Sequence, residues 1–232
     1  MQIRQRVAGY LFFSFIVVLA LLAGCRTHFA DQAKHLAGSR RVGCKNPVFA
    51  KKPVISYDFN SAKCLKSFQV VNGKWLLDDG KLWAVAGKRN RSILLTKSIK
   101  PPFLIELEVT NYANPDGSIG DITILLNTEN SLKFFSKGYA LTTGSYFNSC
   151  TTFYRRGKAI AKTEYSPLRS GQTYKVKIEM VNGHIRYWLD NKIILEAWDA
   201  KPLKMNPALW IGIRTWNTKM AIDSFAIYPL KQ

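Results

Sequence analysis

The chain is poor in histidine, cysteine and acid, and each shortage removes a class of function. Three histidines occur among 232 residues, His28, His35 and His184. Two of them fall in a stretch without apolar periodicity and the third directly follows a turn, so no set has the spacing of a metal site. The four cysteines, Cys25, Cys44, Cys64 and Cys150, contain no CxxC pair for redox or zinc chemistry. No metal and no cofactor are therefore expected. A nucleophile elbow, a phosphate-binding glycine loop and a dinucleotide fingerprint are all missing, which removes the common hydrolase, kinase and dehydrogenase signatures. Acidic residues number 15 against 34 Lys and Arg, giving a formal charge of +19. Such an excess attracts polyanions without specifying one.

What is present begins with a targeting signal. Arg4 and Arg6 precede an uncharged apolar run from Val7 to Ala23, the order of a secretory leader. The run closes on Leu22-Ala23-Gly24-Cys25, which resembles the lipobox of bacterial lipoproteins. Residues 1–24 are then a signal peptide and Cys25 the lipidated first residue of the mature chain. Left uncleaved, the same run is close to the roughly 17–25 residues that span a bilayer. Lipidation predicts a partner membrane and a place in the bacterial cell envelope; Arg26 after the cysteine favours the outer membrane. A secreted address makes nucleic acid an unexpected partner. Residues 25–53, rich in charge and in Gly, Asn and Pro, read as a flexible tether. With Cys25 lipidated, three cysteines remain and at most one internal disulfide can form; Cys44 with Cys64 is the preferred pairing because it would staple tether to domain.

From residue 54 to 232 the apolar period is two. Val176, Ile178 and Met180 alternate with Lys175, Lys177 and Glu179, so one face of that strand is buried and the other wet. Asn182-Gly183 and Asp190-Asn191 are hairpin turns, making Thr173–Trp198 a three-stranded meander. Further strands are predicted over 55–59, 68–71, 74–77, 82–85, 92–95, 103–110, 121–126, 139–143, 151–155, 209–216 and 220–228. No stretch longer than two turns holds a helical period. Many short strands in about 180 residues predict an all-β, two-sheet antiparallel sandwich of jelly-roll type, with a closed barrel as the alternative.

The order of motifs carries a resemblance. Tyr57-Asp58-Phe59, Trp75, Asp79-Gly80-Lys81-Leu82 and Pro102-Phe103-Leu104-Ile105-Glu106 are followed by Gly138-Tyr139-Ala140-Leu141 and Arg155-Arg156-Gly157. Then come Gly171-Gln172-Thr173-Tyr174, Tyr187-Trp188-Leu189-Asp190-Asn191 and Ile211-Gly212-Ile213-Arg214-Thr215-Trp216. Over Ile55–Pro229 this is similar to the concanavalin A-like lectin and glucanase superfamily, and within it to uncharacterised lipoprotein-type domains related to 3-keto-disaccharide hydrolases. The resemblance implies a jelly roll and a carbohydrate setting. It assigns no reaction, since such folds host lectins and glycosidases alike.

Candidate chemistry divides along the same line. Glycosidases need two carboxyl groups about 5–9.5 Å apart, and the superfamily's glucanase string Glu-x-Asp-x-x-Glu is missing. Glu106 and Glu108 share a strand face about 7 Å apart and are, with Asp121, the candidate catalytic acids; a solvated strand face is the favoured account of the pair, because alternation alone explains every residue of the segment. Asp199 at a strand end is a further rim candidate. Tyr139, Tyr154, Arg155, Trp188, Arg214 and Trp216 are the candidate ligand-binding residues, because rings stack on the apolar faces of sugars while arginine reads hydroxyls. The resemblance sets them around the concave sheet, although Trp188 could equally belong to a second core layer. The leading expectation is a membrane-anchored domain that binds a glycan or polysaccharide, possibly acidic, without catalysis. A glycoside-processing hydrolase using a carboxylate pair and a structural envelope lipoprotein are the alternatives.

Overall fold

A period-two sequence in which every second residue is apolar can bury only one face of each strand, so two sheets must stack. The computed structural model describes residues 47–85, 90–127, 137–203 and 209–231. Cys25, the signal segment and Cys44 lie outside them; Cys64, the expected partner of Cys44, is half-buried in a 3-10 turn over Ala62–Ser67.

The eight-stranded sheet runs in the order β13 (Lys192–Trp198), β12 (His184–Leu189), β11 (Thr173–Val181), β6 (Phe103–Tyr112), β15 (Lys219–Pro229), β4 (Lys81–Ala84) and β3 (Trp75–Asp78). Its eighth strand, β1 (Ile55–Tyr57), pairs with β15 beyond the end of β4. The second sheet runs β10 (Lys158–Thr163), β9 (Cys150–Arg155), β8 (Gly138–Gly144), β7 (Ile122–Asn127), β14 (Trp210–Trp216), β5 (Asn90–Leu95) and β2 (Phe68–Asn72). Every pairing is antiparallel. The expected two-sheet sandwich is what forms, and the β11–β12–β13 meander has the bounds read from the sequence. Strand β10 was not among the predicted strands. Backbone pairing also starts ahead of residue 54, where Ala50 N donates to Pro229 O and Phe49 bridges Leu230.

The inner faces meet in one core that includes Ile105, Leu107, Val176, Ile178, Tyr187 and Phe225 from the first sheet and Ile93, Ile124, Tyr139, Leu141, Phe153 and Ile213 from the second. Two tyrosines carry polar contacts across it. The Tyr187 hydroxyl accepts from Thr143 Oγ1 at 2.7 Å, joining β12 to β8. The Tyr139 hydroxyl donates to Asp199 Oδ2 at 2.7 Å and accepts from Leu203 N at 2.9 Å. Asp199 also takes Arg155 Nε at 2.6 Å. The end of β13 is thereby clasped to β8 and β9 of the opposite sheet.

Burial pushes the Tyr139 hydroxyl from an ordinary value of 10.0 up to about 12, and pushes Tyr187 up as well. The folded state therefore keeps these protons after the unfolded chain has lost them, so stability is full below pH 10 and falls as pH rises toward 12. Denaturant melts taken between about pH 10 and 12 should show a loss of about 1.4 kcal/mol per pH unit for each such tyrosine. Tyr139→Phe should flatten that slope.

Candidate functional site

The loop from β6 to β7 crosses from one sheet to the other, and its sequence Asn114-Pro115-Asp116-Gly117-Ser118 is built for turning. Asp116 Oδ1 accepts from Ser118 N at 2.9 Å and Ser118 Oγ at 2.6 Å, while Gly117 takes φ +79. The loop ends on Gly120-Asp121. A Cβ on Gly120 would come within 2.0 Å of Trp216 O, so only glycine lets Asp121 reach the end of β14.

Asp121 is the hub of this end of the sheet. Its Oδ1 accepts from Trp216 N at 2.7 Å, and its Oδ2 accepts from Thr123 Oγ1 at 3.2 Å and Arg214 Nη1 at 3.3 Å. Its main-chain oxygen accepts from Thr215 Oγ1 at 2.6 Å. Burial pushes the Asp121 carboxyl up and the Arg214 guanidinium down, and the opposite charge of each restrains the other. Arg214, 7% exposed, lies with its guanidinium carbon 5.7 Å from the centroid of the half-exposed Trp216 ring.

Register explains why these groups share a face. Arg214 stands opposite Thr123, Thr123 opposite Thr142 and Thr142 opposite Thr152, a polar row across β14, β7, β8 and β9 on the face away from the core. Thr123 Oγ1 lies within hydrogen-bond distance of Thr142 Oγ1 at 2.9 Å. Tyr154 faces the same way, and burial raises its hydroxyl pKa.

At this end of the sheet is a cleft of about 490 Å³, within the roughly 300–1,000 Å³ of small-molecule sites. Asp121, Thr142, Tyr154 and Arg214 form its polar floor; Trp216, Tyr146 and Phe147 stand beside it, with Asn114, Asp116 and Asn217 on the loops. Tyr146 and Phe147 are 65% and 101% exposed. Their backbone is unusual: Tyr146, Phe147 and Asn148 take φ of +52, +60 and +61 in succession. Asn148 holds this turn, donating Nδ2 to Leu168 O at 2.8 Å and accepting from Ser166 Oγ at 2.5 Å.

Of the expected ligand-binding residues, the cleft gathers Tyr154, Arg214 and Trp216, together with Asp121 from the candidate acids. The others stand elsewhere. Tyr139 is fully buried on the inner face and Arg155, its cross-strand partner, is bound to Asp199; both serve the clasp between the sheets. Trp188 lies on the outer face of the other sheet, where Arg186 covers its ring at 5.2 Å. Glu106 and Glu108 lie on that outer face too, paired with Lys177 at 3.1 Å and Lys175 at 3.4 Å. Asn114, Asp116 and Asn217 were not singled out by sequence. The cluster of turn formers between two predicted strands was the available signal.

Comparison with known proteins fits this geometry to a fold. Neither a protein-family model nor a curated protein matches the sequence. Solved structures do. The chain is similar to a Bacillus subtilis protein of unknown function with a galectin-like fold (TM-score 0.64, 13% identity, 80% of this chain and 100% of that one). It is similar to the carbohydrate binding module CBM66 from Bacillus subtilis (TM-score 0.55, 15% identity, 70% and 95%). A third is the VIP36 exoplasmic/lumenal domain in a Ca2+/Man3GlcNAc-bound form (TM-score 0.57, 10% identity, 72% and 85%). The fold is the concanavalin A-like jelly roll. At these identities the likeness extends to the jelly roll alone, and the cleft has to be read from its own residues.

Asp121→Ala would leave the buried guanidinium of Arg214 without its carboxylate and Trp216 N without its acceptor. A loss of about 3–5 kcal/mol is expected, the cost of breaking a buried ion pair from one side. Chemical denaturation checks it.

Proposed function

We propose that this chain is an extracytoplasmic carbohydrate-binding domain, held at a bacterial membrane through lipidated Cys25, that binds its glycan in the cleft without catalysis. The observation that carries the reading is the pairing of exposed rings with a polar floor in one cleft: Trp216, Tyr146 and Phe147 above the buried Arg214 and Asp121 and the half-buried Tyr154. A pyranose or furanose ring presents an apolar C–H face and an edge of hydroxyls, and that division matches exposed aromatic faces beside hydrogen-bonding groups. Leaving such large rings in water has no benefit for stability, which makes them a mark of recognition. The carbohydrate-binding neighbours CBM66 and VIP36 support the same reading.

Binding is favoured over turnover by the state of Asp121, the carboxylate in the floor of the cleft. It is held by three donors. An acid or base that must exchange a proton is poorly served by saturation of this kind. The anchor rests on the leader and lipobox, and it agrees with a sugar ligand, which lies outside the cytoplasm in a cell envelope.

Trp216→Ala should weaken binding to a cognate polysaccharide by about tenfold or more, or about 1.4 kcal/mol. Its melting temperature should barely move, because the contact to Asp121 is made by the main chain. Affinity electrophoresis over a glycan panel with a parallel thermal melt reads both. An unchanged affinity for every retained glycan would remove the cleft from the binding role. Separately, Cys25→Ala should shift the protein from the membrane to the soluble fraction and abolish incorporation of radiolabelled fatty acid.

A further inference from the structure

The chain as a whole is strongly basic, at +19, and lysines such as Lys51, Lys63, Lys97, Lys158 and Lys201 stand exposed. The cleft does not share that sign. Among the described residues lining it, Arg214 is the one cation, against Asp116 and Asp121. Arg214 is moreover balanced by Asp121 at 3.3 Å. A second cation, Lys162, touches the lining at Tyr146, with its Nζ 5.7 Å from the ring centroid.

The open hydrogen-bonding groups of the rim have the same character. Both bonds from Ser118 fall on Asp116 Oδ1, which leaves Oδ2 to accept, and these bonds hold the carboxyl below its ordinary range. Asn114 commits Nδ2 to Ser118 Oγ and to Asn217 O, which leaves its amide oxygen to accept. A carboxylate or sulfate brings oxygens that only accept. It would meet acceptors at the rim and, at Asp116, a like charge. A sugar hydroxyl donates to the same groups and brings no charge.

On the glycan-binding reading above, we infer that the cleft takes glycans without negative charge, and that the attraction of this chain for polyanions resides on its lysine-bearing exterior, outside the cleft. The two interactions are separable. Cleft binding depends on stacking at Trp216 and is insensitive to ionic strength. Exterior binding is Coulombic, unsaturated by any one site, and screened by salt.

The test uses the full chain and its Trp216→Ala variant on neutral polysaccharides and, beside them, polygalacturonate and heparin, at about 0.1 M and about 1 M salt. At least one neutral polysaccharide should be retained equally at both salt concentrations and lose about tenfold or more in Trp216→Ala. Retention by polygalacturonate and heparin should collapse in high salt and be the same for both proteins. Polyanion binding that survives high salt and is lost in Trp216→Ala would put an acidic glycan in the cleft, overturning this inference while leaving the glycan-binding reading intact. If no polysaccharide of either class shows binding that depends on Trp216, the reading itself falls and the inference with it.

Discussion

Burying the carboxylate of Asp121 is the interaction on which the site depends. An ion taken out of water costs several kcal/mol unless its lone pairs and charge are met. Here they are met by Thr123 on β7 and by Arg214 and the main chain of Trp216 on β14. Those three donors cannot be supplied unless β7 and β14 hold their register and the β6–β7 loop enters at one height. The constraint is therefore positional. It fixes where Trp216 leaves the sheet, and it fixes Arg214 beneath the cleft with its guanidinium plane directed by a partner.

Charged pairs on the outer faces are of two kinds. On the eight-stranded sheet Glu106 and Glu108 lie across from Lys177 and Lys175 in direct register. These are half-exposed pairs, each worth at most about 1 kcal/mol, and they neutralise one another along a solvated strand face. Buried pairs lie beside aromatic rings on both sheets, Arg186 with Glu179 next to Trp188 and Arg214 with Asp121 next to Trp216. The same residue types thus make a solvated pair in one place and a desolvated one in another, and at Asp121 the desolvated pair lines the cleft. Asp199 is a third case: it is buried at the opposite end of β8 and β9 from Asp121, and its partners Tyr139 and Arg155 bind sheet to sheet.

Strand alternation made the sandwich legible and also set the limit of what was legible in the site. The β11–β12–β13 meander was readable to the residue because its turns are Asn182-Gly183 and Asp190-Asn191 and its faces are cleanly apolar and polar. Strand β10 escaped because a bulge between Ala159 and Ala161 breaks the period of two, leaving Ala159-Ile160-Ala161 without alternation. Tyr154 and Arg155 were expected to share a face, yet neighbours on a strand point to opposite sides. Phe153 and Arg155 therefore go inward while Tyr154 goes outward, a distinction that parity alone contained. Trp188 is different. Its face could be read from the sequence, but membership of the other sheet follows from the pairing of β11 with β6, a long-range contact that no local pattern reports.

Two glycines and a strained turn then decide the shape of the cleft. Gly120 admits no Cβ because Trp216 O occupies that space, and a Cβ on Gly144, at φ +89, would come within 3.2 Å of the Asp121 α-carbon. The ends of β7, β8 and β14 are thereby drawn together more closely than ordinary residues allow. Past Gly144 the chain must turn back into β9 within a few residues, and it does so through three non-glycine positions at positive φ, of which Tyr146 and Phe147 each cost about 1–2 kcal/mol. Two of those positions are aromatic and carry their rings into solvent beside the cleft. At Phe147, which is fully exposed, asparagine or glycine would relieve the strain at no loss of packing. The strain is held in place by the bond from Ser149 N to Ser145 O and by the Asn148 clasp to Leu168 and Ser166, and strained residues of this kind gather where a protein grips a ligand. On the proposed glycan-binding reading, a wall held rigid before the ligand arrives would lose less freedom on binding, which would be the physical return for a turn that stability alone does not explain.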